Sequence, residues 1–593
     1  MVALRHWVAA AAAGTYLAIG TVAGQAASEL AYKVEISAGD GDLEAQLKDV
    51  SRLVQAEAKP PPGLAGLDQR AQSDRQIFET VLRSEGYYDG TIEITIDDDQ
   101  SPVRVGVRVV PGKRYSLADC SIVYSSPPPA GAPAACKDIG LESGAAARSE
   151  PIIAATDKLL LSLQERGRPD AKVTDRDAVA DHATQRMRLT FHIDPGREAR
   201  FGRVYVMGAD HTEHDFLERL ETWKSGAVYD VRKLDDYRQR LANLNLFDRL
   251  TVKAETAHAD ASGHVPVRVD AHERLSHSFG GGVSYATDTG PGLKAFWENR
   301  NLWGRAELLR FDLQMATIAQ SLEAALTLPH EPNTGQSLGF DLKAERDTTD
   351  AYDKQGVTIL GQITMPLGGH WMGKGGVSLE AADVKQAGFS AFSVLASLPV
   401  SVTYDSTKSL LDPEDGERLT IQAQPVAGTS GGGRAFLILE NSASAYRPLD
   451  EESKFVAAAR VRLGTILFAS EGTVPPDMRF YSGGGGSVRG FAYQHIGPRN
   501  AMNNPTGGRA VAETSLELRY RAWEDIGIVG FVDAGTVSAS PYFSDAETPR
   551  IGAGLGLRYY TGFGPLRLDL AAPLNPRHGD APVQVYVSLG QAF

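Results

Sequence analysis

Beyond its first 26 residues the chain has no long apolar run, and it carries only two cysteines in 593 residues. The first absence excludes a later transmembrane helix, which needs about 20 consecutive apolar residues. Any membrane insertion must therefore use strands, and strands span a bilayer only as a closed barrel. The second absence excludes a cysteine-built zinc centre: Cys120 and Cys136 flank a Pro/Ala/Gly stretch with no nearby pair of further ligands. In an oxidising compartment that pair predicts one local disulfide, Cys120–Cys136. Catalytic signatures are missing as well. There is no His-Glu-x-x-His, and the 13 histidines are scattered. Gly368 to Lys374 imitates a phosphate loop, but Gly375 replaces the Ser/Thr and the stretch reads as a hairpin turn, as does Asp97-Asp98-Asp99 between two strands. No catalytic residue, metal or cofactor is expected, and the chain reads as a non-enzyme. Basic charge is short too: 60 Lys+Arg against 74 Asp+Glu leaves −14, which argues against nucleic acid as a partner and suits a solvated acidic surface.

Both ends of the chain carry a signal. Residues 1–26 combine Arg5 and His6, an apolar stretch from Trp7 to Ala23, and a small-residue exit at Gly24-Gln25-Ala26, the pattern of a secretory signal peptide. A start-anchor helix is the alternative, but Thr15, Gly20, Thr21 and Gly24 break the run below spanning length. At the other end, Val583, Val585, Val587, Leu589 and Phe593 are expected on one face of a membrane strand, with Gln584, Tyr586 and Ser588 on the other. That strand is expected to close a barrel with Phe593 facing outward.

Between them, residues 27–274 read as three repeats, 27–113, 114–197 and 198–274. Val109-Val-Pro-Gly112 lines up with Ile193-Asp-Pro-Gly196, each between two alternating strands. Helices close on Gly86 and on Gly167, and the third copy has Asn245, the next-best residue for a left-handed cap. Each repeat is expected to run strand, two helices, strand, strand: a small α+β module, with a single irregular α+β domain as the alternative. From 275 onward helical periodicity vanishes. Leu338, Phe340 and Leu342 alternate with Asp341, Lys343 and Glu345, and Leu566, Leu568 and Leu570 with Arg567 and Asp569. Charges at the alternate positions predict a wet lumen, and 275–593 has room for about sixteen spanning strands of roughly 10 residues.

The most specific block is Arg479-Phe-Tyr-Ser-Gly-Gly-Gly-Gly-Ser-Val-Arg-Gly-Phe491. Val488-Arg489-Gly490-Phe491 resembles the VRGF/Y loop motif of the outer-membrane insertase and two-partner transporter superfamily. Further phrases follow in that family's order: Gly507-Gly-Arg509, Ser515-Leu-Glu517, Phe531-Val-Asp533-Ala-Gly535 and Gly564-Pro-Leu-Arg-Leu-Asp569. Gly282-Val-Ser-Tyr, Glu298-Asn-Arg-Asn-Leu-Trp-Gly304 and Leu411-Asp-Pro-Glu-Asp-Gly416 add to it, the first two being similar to the TamA branch.

The resemblance implies three POTRA modules before a sixteen-strand outer-membrane barrel, with the modules in the periplasm. It implies a factor that helps fold and insert unfolded outer-membrane β-barrel clients, autotransporters among them, with a long TamB-like inner-membrane protein as its partner and the lipid bilayer as its surroundings. It also implies a lumen loop whose arginine meets acidic wall residues. Glu517 shares a face with Arg519 and Arg521, so Arg489 is expected to pair with Glu517 or Asp533. Phe531 shares parity with Asp533, against simple alternation. The expected lateral opening is the seam between the first strand, with Gly280, Gly281 and Gly282, and the last, with Gly590 and Phe593. Glycine there weakens pairing, or simply relieves crowding. A two-partner secretion transporter exporting one dedicated partner is the alternative function; a passive porin does not account for the N-terminal arm.

Overall fold

The computed structural model describes residues 30–593, apart from 288, 430–434 and 563. The expected signal peptide, 1–26, lies outside the described residues.

Three small mixed sheets come first. Alternation dictates each one: Val103, Val105, Val107 and Val109 point to one side of the strand Val103–Val110 and are all buried, while the residues between them face outward. The outer strand Tyr32–Ser37 runs parallel to Val103–Val110 and Thr91–Asp97 runs antiparallel on its other side. A parallel pair needs a crossover, and the helices between the two strands supply it. Their Leu43, Leu47, Leu67, Phe78 and Leu82 close the core on the valines. Asp74, fully buried, is tolerated because its carboxylate accepts from Ser51 Oγ (2.6 Å) and from the amides of Arg52 (2.9 Å) and Leu53 (3.1 Å), capping the short helix Arg52–Gln55.

The second sheet repeats the order, with Ser116–Tyr124 parallel to Arg186–Asp194 and Lys172–Asp181 at the other edge. One expectation fails here. The first of its two helices is reduced to a 3-10 turn, Cys136–Ile139, because Pro127, Pro128, Pro129 and Pro133 deny the preceding chain the amides a helix requires. The Cys120–Cys136 disulfide ties that turn to the sheet, with Cα atoms 5.8 Å apart. The third sheet joins Arg200–Met207, His264–Glu273 and Phe247–Ala254.

The joints between modules reuse one device. Gly86 and Gly167 follow their helices with φ of +88° and +84°, and the carbonyl of each accepts from the residue just before the next module's first strand: Tyr115 N to Gly86 O and Ala199 N to Gly167 O, both 2.8 Å. At the first joint the buried Tyr115 hydroxyl donates to Asp89 (2.7 Å), which also meets His182 Nδ1 (2.5 Å). Burial, reinforced by the Asp89 carboxylate, pushes the Tyr115 hydroxyl up to about 12, so it stays a donor. The same bond, with the one from His182, holds the Asp89 carboxyl below its usual range.

Residues 277–589 close into an antiparallel barrel of sixteen staves. Phe389–Ser397 and Val400–Asp405 are two halves of one stave, both lying between the strands Trp371–Gln386 and Gly416–Gly428. The break falls at Leu398-Pro399, where proline removes a ladder donor. Leu516, Leu518, Leu555, Leu557, Leu566, Leu568 and Leu570 face out, while Glu513, Glu517, Arg519, Arg558, Arg567 and Asp569 are buried inside. Such an apolar outer belt with charge confined to the lumen is a membrane-spanning barrel's distribution. Among the described residues no helix is long and apolar enough to cross a membrane.

Two outcomes follow from the modules. Replacing Cys120 and Cys136 by serine is expected to lower the second module's stability by about 2–4 kcal/mol, the usual cost of opening a loop of this size, read as faster amide exchange across Arg186–Asp194. Asp89 has a depressed pKa in the fold, so its stabilising contribution is present above the ordinary carboxylate range and is lost as pH falls through the lowered value. Amide-exchange protection at Tyr115, corrected for intrinsic rates, should hold from neutral pH and drop only below about pH 4, and Asp89→Asn should abolish that dependence.

Candidate functional site

The connection between the strands Phe455–Leu467 and Ala510–Arg521 folds back into the barrel instead of standing outside it. Its apolar residues Val488, Phe491 and Ile496 form a small buried cluster of their own, which gives the loop a reason to leave water. Arg489 is carried in with them and is 1% exposed. A guanidinium so placed must be paired and hydrogen-bonded.

Its pairing is nearly saturated. Nε and Nη2 donate to the two oxygens of Asp533 (2.7 and 2.9 Å), a bidentate fork, and the Arg489 amide adds a third bond to Asp533 (3.0 Å). Nη1 donates to Glu517 (2.7 Å) and to Asp569 (3.1 Å). The guanidinium plane lies 3.5 Å from the centre of the Phe531 ring, so Phe531 faces the lumen as the platform beneath it, which accounts for its parity with Asp533. Sequence reading left Glu517 and Asp533 as alternatives; the structure brings both to Arg489.

Two contacts escaped that reading. Asp569 is the third carboxylate, and its signal was present: it alternates with outward leucines on Gly564–Pro573 and ends one of the recurring phrases. Tyr586, on the last strand, accepts from the Gly490 amide (3.3 Å) and donates to the Phe491 carbonyl (3.2 Å). One loop is thereby tied to four strands, Ala510–Arg521, Ile526–Ser538, Gly564–Pro573 and Gln584–Leu589. Contact is close enough to dictate glycine on the wall: a Cβ at Gly552 would stand 1.8 Å from the Arg489 carbonyl oxygen, and Gly490 itself turns with φ of +97°.

The seam is the second element. The first strand, His277–Ala286, pairs along its full length with Gly290–Arg300 on one side, Gly280, Gly281 and Gly282 included. Its other side meets the last strand, Gln584–Leu589, at only two register pairs, Tyr285 with Val587 and Ala286 with Tyr586. Thr287 N adds a bond to Val585 O (3.1 Å). No register pair to the last strand is formed by His277–Ser284, whose Phe279 is 87% exposed.

Phe593 departs from expectation. The strand ends at Leu589, Gly590 turns with φ of +86°, and residues 591–593 bend inward. Phe593 does not face outward; its ring packs beside Tyr446 and lies 5.5 and 5.6 Å from the guanidinium carbons of Arg460 and Arg519. The physical reason is pairing. Beyond Gly590, whose amide still donates to Pro565 O (2.8 Å), the chain finds polar partners inside: Gln591 N donates to Leu411 O (3.0 Å) and Arg519 Nη2 to Phe593 O (3.1 Å). The phrase Leu411–Gly416 thus forms the seat for this tail. The phrase Glu298–Gly304 has a structural task as well: Asn301 Nδ2 donates to Thr212 Oγ1 (2.9 Å) and Glu213 N to Gly304 O (2.8 Å), riveting the strand-to-helix turn after Arg200–Met207 to the connection that follows Gly290–Arg300.

Comparison with known proteins agrees with this architecture. Residues 301–593 match the model of the Omp85 superfamily domain. The outer membrane protein assembly factor BamA of Nitratidesulfovibrio vulgaris is 25% identical over 420 residues, 68% of this chain and 53% of that protein, so the match spans about half the relative's length. Among solved structures, BamA from Haemophilus ducreyi lacking POTRA domains 1–3 superposes with a TM-score of 0.67 at 20% identity, covering 80% of this chain and 99% of that one. CdiB from Acinetobacter baumannii gives 0.50 at 14% identity, covering 88% and 98%. Behind its POTRA-like modules, the barrel with its arginine-latched lumen loop carries an Omp85 superfamily domain over residues 301–593.

Proposed function

We propose that this chain is an outer-membrane assembly factor of the TamA type, which folds and inserts client β-barrels through its seam, with its modules reaching into the periplasm. The observation that carries the reading is the seam itself: two register pairs join the first strand to the last, where the next hairpin along has ten. An unpaired strand edge is a template that most proteins hide. Here a client strand can add to His277–Ser284 by main-chain hydrogen bonding, while the exposed apolar belt keeps the nascent hairpin in lipid. The Arg489 latch holds the loop against three strands on the closing side of the barrel, one of them the partner of the last strand, so that the edge is presented in one register. The three modules are the surface for unfolded clients and for a TamB-like inner-membrane partner, a reading that rests on the family resemblance.

The test is client folding. A denatured client barrel should fold faster into liposomes containing this protein than into empty ones. Arg489→Ala takes the guanidinium from the buried Asp533 and leaves Glu517 and Asp569 to Arg519 and Arg558, and is expected to cost about 3–5 kcal/mol of barrel stability along with the acceleration. Arg489→Lys keeps the charge but not the fork, and should recover only part of both. Locking the seam through a Tyr285→Cys/Val587→Cys disulfide should stop client folding until reductant is added; full activity of the locked chain would sink the seam mechanism. Large ion conductance without any acceleration would favour the alternative, a two-partner secretion transporter exporting a dedicated partner.

A further inference from the structure

The carboxylates that receive Arg489 are shared. Glu517 takes Arg489 on Oε1 (2.7 Å) and Arg519 on Oε2 (2.9 Å). Arg519 in turn donates to Phe593 O (3.1 Å) and to Pro413 O (3.1 Å). Asp569 takes Arg489 on Oδ2 (3.1 Å) and Arg558 on Oδ1 (2.6 Å), and Arg558 Nε donates to Gln591 Oε1 (2.7 Å). Gln591 is pinned from its other end by donating to Asp412 (2.9 Å). Two chains of buried charge therefore run from the lumen loop to Gln591 and Phe593 in the tail that follows the last strand. Tyr586 makes a third link, holding Gly490 and Phe491 with its hydroxyl while its backbone forms one of the two seam pairs.

We propose that Arg519 and Arg558 are positioning residues that couple the lumen loop to the seam, so that unlatching Arg489 and unzipping the last strand are one event. The reason is geometric. A guanidinium offers its donors in a rigid plane, and each of these two is oriented by a carboxylate whose other oxygen is held by Arg489. When the loop leaves, Glu517 and Asp569 lose the partner that fixed their rotamers, and the planes of Arg519 and Arg558 are free to turn away from Phe593 and Gln591. The last strand, which has only two register pairs on its seam side, then loses the anchorage that follows it. Conversely, a client strand that displaces Gln584–Leu589 pulls on the same carboxylates and loosens the loop. Arg519 and Arg558 touch no client in this scheme; they act through the tail.

This rests on the assembly-factor reading, but its test uses no client. The chain carrying Tyr285→Cys and Val587→Cys, with the native disulfide intact, is reconstituted in liposomes, and the rate of oxidative cross-linking reports how much of the time the seam is paired. Losing about one net hydrogen bond's worth of anchorage should slow cross-linking about fivefold in Arg519→Gln. Arg489→Ala should slow it in the same direction, and the double variant should be no slower than the slower single, because both act on one path. Gln591→Ala, which removes tail contacts without touching the wall, should slow it as well and serves if Arg519→Gln fails to fold. Unchanged cross-linking in Gln591→Ala and in any folded Arg519→Gln, or effects of Arg489→Ala and Arg519→Gln that multiply in the double variant, would overturn the coupling. Coupled cross-linking in a protein that accelerates no client would instead leave the coupling standing and remove the insertase function.

Discussion

The barrel's organisation depends on one buried cation. Arg489 enters the lumen on a loop that has its own apolar cluster, and the cost of desolvating it is offset only because Asp533, Glu517 and Asp569 converge from three different strands. Each of those carboxylates is itself fully buried and would be untenable without arginine. Loop and wall are therefore mutually dependent. The loop specifies which faces of five strands must carry acid, aromatic ring or glycine, and those strands specify where the loop can rest.

That dependence sits beside the barrel's weakest point. A closed barrel gains its stability by leaving no strand edge unpaired, yet here two register pairs do the closing and the chain curls inward after Leu589. Contacts inside stand in for the missing pairs: the Gln591 amide on the Leu411 carbonyl and its side chain on Asp412, Phe593 against Tyr446 and the arginines. Side-chain anchorage can be exchanged bond by bond, whereas a full ladder must be broken cooperatively. The seam is thus joined by two register pairs and by the contacts of the tail that follows it.

Much of this was legible in the chain. Alternation with period two separated the lipid-facing leucines from the lumen charges on Ala510–Arg521 and Gly564–Pro573, since side chains on a strand have only two directions. Pro-Gly turns and left-handed caps marked the module joints because few residues tolerate those backbone angles. What failed was what alternation cannot carry. Phe593 obeyed the outward parity of Val583 and Leu589 but turns in at Gly590, since parity holds only while the strand continues. The second module's first helix was lost to Pro127, Pro128, Pro129 and Pro133, which leave the chain ahead of Cys136 without the amides a helix needs.

Local rules therefore settled element type, the inward or outward sense of each strand residue, the membrane-spanning class of the barrel and the loop that carries the arginine. Each of these follows from backbone geometry and solvent preference acting over a few residues. Only the tertiary structure decided that Arg489 takes three carboxylates at once, that Tyr586 and Phe593 join the same network, and that the first and last strands meet at two pairs. Those contacts join residues from about 30 to 300 positions apart, and their existence depends on how far the barrel closes, which no local pattern encodes.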